Sequence, residues 1–103
     1  MSDAAQLLTA AKAKGLMLAT AESCTGGMLS AAITNLPGSS AIFDRGFVTY
    51  TNVAKMQMLG VQETTLAAHG AVSEQVAAEM AAGALQNSDA DIALSITGIA
   101  GPG

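Results

Sequence analysis

The chain has 103 residues, half of them hydrophobic, 12% charged, with a formal net charge of −4. That apolar balance excludes a disordered tail, which fails to fold for want of burial, and four Lys+Arg residues leave no basic footprint for nucleic acid or anionic lipid. No apolar stretch reaches the ~20 residues of a spanning helix, no basic segment precedes an apolar core as in a secretion signal, and a lone Cys24 excludes an internal disulfide and suits a reducing cytoplasm.

In chain order, helix and strand patterns alternate, which predicts an α/β layer fold. Ser2 can cap a first helix whose Ala4, Leu7, Leu8 and Ala11 recur at helical spacing, with Gly15 as its stop. Leu16 to Thr20 reads as a buried strand, and Ala21 to Gly27 as a turn into a helix around Met28 to Thr34. Phe47 to Tyr50 is expected as the second strand. Asn52 can cap a helix that carries Lys55 towards Gly60, a shorter helix covers Thr64 to Ala68, and Ser73 caps a longer one from Glu74 to Gln86. Ile92 to Thr97 is the third strand, followed by a loop through Gly98 and Gly101. Three strands are few for a sheet covered on both faces, so the chain is expected to stop before its domain is complete.

Two clusters at strand ends carry chemical interest, because open α/β sheets bind ligands there. Ser23-Cys24-Thr25-Gly26-Gly27 lies between a strand and a helix. It reads either as an anion-binding loop of backbone N–H groups or as an ordinary turn with hydroxyl caps. Pro37-Gly38-Ser39-Ser40 is followed by Tyr50, Asn52 and Lys55. A serine hydroxyl needs a base to become a nucleophile, and a neutral lysine can serve if burial lowers its pKa from ~10.4. Lys55 sits among Val53, Ala54, Met56 and Met58; the competing reading is a surface lysine on a helix. His69 before Gly70 reads as a helix C-terminal residue, Cys24 as a half-buried thiol, and Asp89 and Asp91 as solvated turn residues. One histidine and one cysteine among scattered acids give no metal-ligand spacing.

Taken together, Ala21-Glu22-Ser23-Cys24-Thr25-Gly26-Gly27, Gly38-Ser39-Ser40, Arg45 to Asn52 with Lys55, His69-Gly70-Ala71-Val72-Ser73 and Thr97 to Pro102 resemble, in order, the CinA C-terminal domain family. The resemblance covers nearly the whole chain, 1–103, as a single domain. It implies a three-layer α/β/α sandwich, here without the last strands and helix of a domain of roughly 150 residues. Members of the family include nicotinamide-nucleotide amidases, which turn nicotinamide mononucleotide into nicotinate mononucleotide and ammonia with a Ser/Lys dyad and no metal or other cofactor. Carried over by position, Lys55 is the base, Ser40 the nucleophile with Ser23 as its rival, and Tyr50 orients the pair. Ser23, Thr25, Gly26, Gly27, Asn52, Thr97, Gly98 and Gly101 would bind the nucleotide. The implied partners are this small-molecule substrate and further copies of the chain, in the cytoplasm, with neither nucleic acid nor membrane. The other reading is a nucleotide-binding regulatory module that uses the same loops without hydrolysis.

Overall fold

The computed structural model describes residues 3–97. Among the described residues five helices and three strands follow in order: α1 Asp3–Lys14, β1 Leu18–Glu22, α2 Met28–Thr34, a 3-10 turn Ser39–Ala41, β2 Phe43–Val48, α3 Asn52–Leu59, α4 Glu63–His69, α5 Glu74–Gln86 and β3 Ile92–Ile96. The strands form one parallel sheet in the order β2-β1-β3. Every residue of the central strand β1 is buried, as a strand paired on both edges and covered on both faces requires.

The alternation of side chains along β1 decides the layers. Leu18 faces Leu8, Ala11, Ile33 and Ile42, with Ile92 and Leu94 of β3 packed against that cluster. Ala19 and Ala21 face the other way, onto Leu59, Val61, Val76, Met80 and Ala84, with Phe47, Leu66 and Ala93 alongside. α1 and α2 therefore cover one face and α3, α4 and α5 the other, which is the expected three-layer sandwich. The alanines of β1 let α5 approach closely, and Gly83 brings it closer still. A Cβ at Gly83 would lie 2.8 Å from Leu59 Cα and would overlap the Leu59 carbonyl.

Helix ends follow local chemistry. Ser73 Oγ accepts from Val76 N–H at 3.2 Å and opens α5 at the expected residue. α3 is capped by Thr51, whose side chain accepts from Ala54 N–H at 3.0 Å; the expected cap, Asn52, is instead the first helical residue. Gly15 and Gly60 follow α1 and α3 with φ of 66° and 70°, which ends each helix at low cost. α4 ends at His69, and Gly70 follows it.

Two strands sit where hydrophobicity alone does not put them. β1 runs two residues later than Leu16–Thr20, because Glu22 is accommodated inside it, fully buried. β2 begins at Phe43 and ends at Val48 rather than spanning Phe47 to Tyr50. β2 pairs only with β1 among the described residues, so Asp44, Arg45 and Gly46 tolerate exposure and mask the strand in an apolar scan. Its register shifts between Leu18 and Ala19, opposite Phe43 and Arg45. The extra residue, Asp44, turns Gly46 rather than Arg45 towards α2. Among the described residues no helix is long and apolar enough to cross a membrane.

Candidate active site

All three strands end at one edge of the sheet, with Glu22 level with Val48 and Ile96. Ser23 follows immediately, donating its N–H to Ile96 O at 3.1 Å, while Thr49 donates its N–H to Glu22 O at 2.7 Å. Ser23 is thus held between β2 and β3 at the head of the central strand. It is 5% exposed, and its hydroxyl has no hydrogen-bond partner among the described residues.

Lys55 reaches this edge from α3. Leu59 occupies the same helix face one turn later and packs in the core, so Lys55 is drawn inward with it and is only 2% exposed. Among the described residues only Arg45 forms ion pairs, and Lys55 has no carboxylate partner. Burial pushes the Lys55 ammonium below its ordinary pKa, and the nearby Cys24 thiol, the residue after Ser23, opposes this only in part. A buried lysine without an ion-pair partner and a serine hydroxyl without a described hydrogen-bond partner thus share one end of the sheet, and these are the properties a general base and a nucleophile need.

Glu22 explains why the Ser23–Gly27 turn holds its shape. Its Oε1 accepts from Thr25 Oγ1 at 2.7 Å and Leu29 N–H at 2.7 Å; its Oε2 accepts from Ser30 N–H at 2.9 Å and Ser30 Oγ at 2.7 Å. Burial alone would raise its pKa, but the bonds from Ser30, Thr25 and Leu29 together outweigh it and the net shift is downward. Ser30 spends its one hydroxyl proton on Glu22, so Thr20 is the donor in the 2.7 Å Thr20–Ser30 contact. The carboxylate also does the work of a helix cap, since Gly27 has no side chain to offer α2.

The helix-start N–H groups of Leu29 and Ser30 are taken by Glu22. Thr25 is engaged by the same carboxylate, while Gly26 and Gly27 bend the chain with φ of 59° and 107°. Among the described residues the N–H groups of Cys24, Thr25 and Gly27 have no acceptor. Tyr50, 67% exposed, and the exposed Asn52 lie at the β2–α3 junction on the same edge as Lys55. Thr97 donates its hydroxyl to Ala71 O at 2.7 Å; Gly98 and Gly101 lie outside the described residues.

Ser40 and Lys55, the expected dyad, are not brought together. Ser40 is exposed, in the 3-10 turn before β2, beside the C-terminal end of α1; a Cβ on its neighbour Gly38 would lie 2.9 Å from Lys12 Nζ. In a parallel sheet the residues before β2 sit at the opposite edge from Val48. Six residues of strand therefore separate Ser40 from the Lys55 edge, roughly 16 Å. Of the two candidate serines, the one on the lysine's edge is Ser23. Glu22 was missed at the sequence level because an acid before Ser-Cys-Thr-Gly-Gly looks like turn polarity. The available signal was its place at the end of a strand just ahead of a helix with no side-chain cap.

Beside the strand ends lies a cleft of about 430 Å³, with Val72, Ser73, Glu74 and Ala77 on the α5 side and Ser95, Ile96 and Thr97 on the β3 side. Among the described residues no group of three His, Cys, Asp or Glu side chains is placed to hold a metal ion.

The family model of the CinA C-terminal domain matches residues 2–103. Over 97 residues the chain is 62% identical to the nicotinamide-nucleotide amidohydrolase PncC of Escherichia coli, covering 94% of this chain and 59% of that protein. It is 65% identical over 92 residues to a CinA-like protein of Chloroherpeton thalassium, covering 89% of this chain but 22% of that one. The crystal structure of the competence/damage inducible protein CihA from Agrobacterium tumefaciens superposes with a TM-score of 0.92 at 57% identity, covering 97% of this chain and 61% of that one. The chain thus spans less than two thirds of the length of each of these proteins.

Proposed function

The chain belongs to the CinA C-terminal domain family, and from that premise we propose that it hydrolyses the carboxamide of nicotinamide mononucleotide, with Lys55 as base and Ser23 as nucleophile. The observation that carries this reading is the buried Lys55, which has no ion-pair partner among the described residues and sits on the Ser23 edge of the sheet. The name of the 62% identical amidohydrolase supports the substrate.

In this mechanism neutral Lys55 takes the Ser23 hydroxyl proton as Oγ attacks the amide carbon. The tetrahedral intermediate carries its negative charge on the former carbonyl oxygen. The N–H groups of Cys24 and Thr25, free of described acceptors, are suited to stabilise it. Collapse of the intermediate breaks the C–N bond, and the proton on Lys55 goes to the departing nitrogen, which leaves as ammonia. Water, deprotonated by Lys55 in turn, then attacks the Ser23 ester; its C–O bond breaks, the lysine proton returns to Ser23 Oγ, and nicotinate mononucleotide is released. Glu22 supplies no proton to these steps; it fixes the turn on which Ser23 and the donors sit.

The test is ammonia release from nicotinamide mononucleotide by the chain and by two serine variants. Ser23→Ala is expected to abolish release and Ser40→Ala to leave it unchanged. Full loss in Ser40→Ala with activity retained in Ser23→Ala would overturn the nucleophile assignment. Binding without ammonia release by the unmodified chain would establish a nucleotide-binding module instead.

A further inference from the structure

Three hydroxyl residues line the cleft beside the strand ends, and each has already spent its proton. Ser73 Oγ donates to Gly70 O at 2.9 Å, Ser95 Oγ to Ala77 O at 2.7 Å and Thr97 Oγ1 to Ala71 O at 2.7 Å. Their oxygens face any occupant as acceptors only. The helix start is spent in a similar way: Val76 N–H is bonded to Ser73 Oγ and Ala77 N–H to Ser73 O. Among the described residues the rest of the lining comes from the apolar residues Val72, Ala77 and Ile96, and the one charged residue is Glu74. Such a cleft repels a phosphate and suits a flat, apolar body that carries positive charge.

We propose that this cleft is the subsite for the positively charged pyridinium ring of the substrate, with Glu74 as its counter-charge. The identity of the ligand rests on the amidase reading above; the preference for a cationic ring rests on the cleft itself. An N-ribosylated pyridine is planar, largely apolar and bears one positive charge, so it matches the walls, the acceptors and the carboxylate at once. Ile96 forms one wall and accepts the Ser23 N–H. A ring seated against the Ile96 backbone is then about one strand spacing, ~4.8 Å, from the serine on β1's extension, which lets its carboxamide face the nucleophile. The phosphate, at the far end of the ribose, falls outside the cleft and away from Glu74.

The test uses two mononucleotides that cannot be hydrolysed, 3-acetylpyridine mononucleotide and its 1,4-dihydro form, which differ in ring charge. Titration calorimetry on the unmodified chain is expected to show about tenfold tighter binding of the cationic form, a modest ratio for an exposed carboxylate. Glu74→Gln should bring that ratio close to one by weakening the cationic probe alone, and Glu74→Asp should retain the preference. A ratio near one in the unmodified chain, equal losses of both probes in Glu74→Gln, or no binding of either probe would overturn the proposal. Ammonia release from nicotinamide mononucleotide is measured alongside. A cationic preference that depends on Glu74 without ammonia release would sustain the ring subsite and refute the amidase reading.

Discussion

Glu22 and Ser30 are joined twice, Ser30 N–H at 2.9 Å and Ser30 Oγ at 2.7 Å both donating to the same carboxylate oxygen. With Thr25 and Leu29 on the other oxygen, the four acceptor positions of a buried anion are filled. This arrangement ties the end of β1 to the start of α2, and Ser23 lies in the connection between them.

Glu22→Gln should expose that dependence. The glutamine keeps the shape, but its NH2 group would face two donors from Ser30 and leave them without an acceptor. Hydrogen bonds to charged groups contribute ~1.5–3 kcal/mol each, so a loss of at least ~2 kcal/mol is expected in chemical denaturation. The pH dependence follows from the lowered pKa. The unfolded carboxyl binds its proton first as pH falls, so the stabilisation is present above the ordinary glutamate pKa of 4.5 and lost as pH drops through the lower folded value. The acid arm of the stability profile should flatten in Glu22→Gln; an unchanged acid arm would remove Glu22 as its source.

Gly46 is predicted to be irreplaceable for a related reason. A Cβ there would stand 2.6 Å from both Thr20 Oγ1 and Ser30 Oγ, inside the hydroxyl chain that ends on Glu22. Overpacking of this kind costs ~1–3 kcal/mol. In Ser30→Ala one of the two obstructing oxygens is gone, so Gly46→Ala should cost less in that background than alone. Additive losses in a double-mutant cycle would show that the two sites do not meet.

Gly83→Ala tests the other face. Alanine is the better helix former by ~1 kcal/mol, so propensity alone forecasts stabilisation. The added Cβ would collide with the Leu59 backbone at the end of α3, and a backbone yields less readily than a side-chain tip. A lower melting temperature is expected; a higher one would mean that α3 and α5 can separate without loss.

Much of this architecture was legible in the residues. Ser73 with its Glu74–Gln86 helix, and the Gly-rich entry to Met28–Thr34, are local signals that tertiary structure left intact. β1 runs two residues later than its hydrophobic pattern because a buried acid contradicts that pattern, and the helix partners that make Glu22 tolerable, Leu29 and Ser30, lie seven and eight residues further along the chain. β2 was half hidden because a strand paired on one side among the described residues need not be apolar. Lys55 was identifiable as a base candidate from its neighbours, yet its burial depends on α3 docking against α5 and the sheet. The sequence favours Ser40 over its rival Ser23 as nucleophile; the parallel register puts them at opposite ends of the sheet, because register decides which turn sits at which end.

Lys55 joins stability to chemistry, and the two should move in opposite directions. Its pKa in the folded chain lies below its ordinary value because burial penalises the ammonium. Below the ordinary pKa of ~10.4 the unfolded chain holds the proton more tightly than the folded one, so stability rises with pH across the interval between the two values. Replacing the side chain by an apolar one of similar length, Lys55→Met, removes the penalty. The variant should therefore be more stable than the parent at neutral pH, and the advantage should shrink as the solution is made alkaline. Lys55→Arg keeps the charge at every accessible pH, cannot accept the serine proton and should lower amidase turnover by at least ~10²-fold. In the parent, activity should rise with pH through the lowered lysine pKa and then level off. Denaturation and ammonia-release profiles on the three proteins check all of this together. A Lys55→Met protein less stable than the parent at neutral pH would mean that Lys55 is a paired structural cation, and a fully active Lys55→Arg would remove it from the reaction.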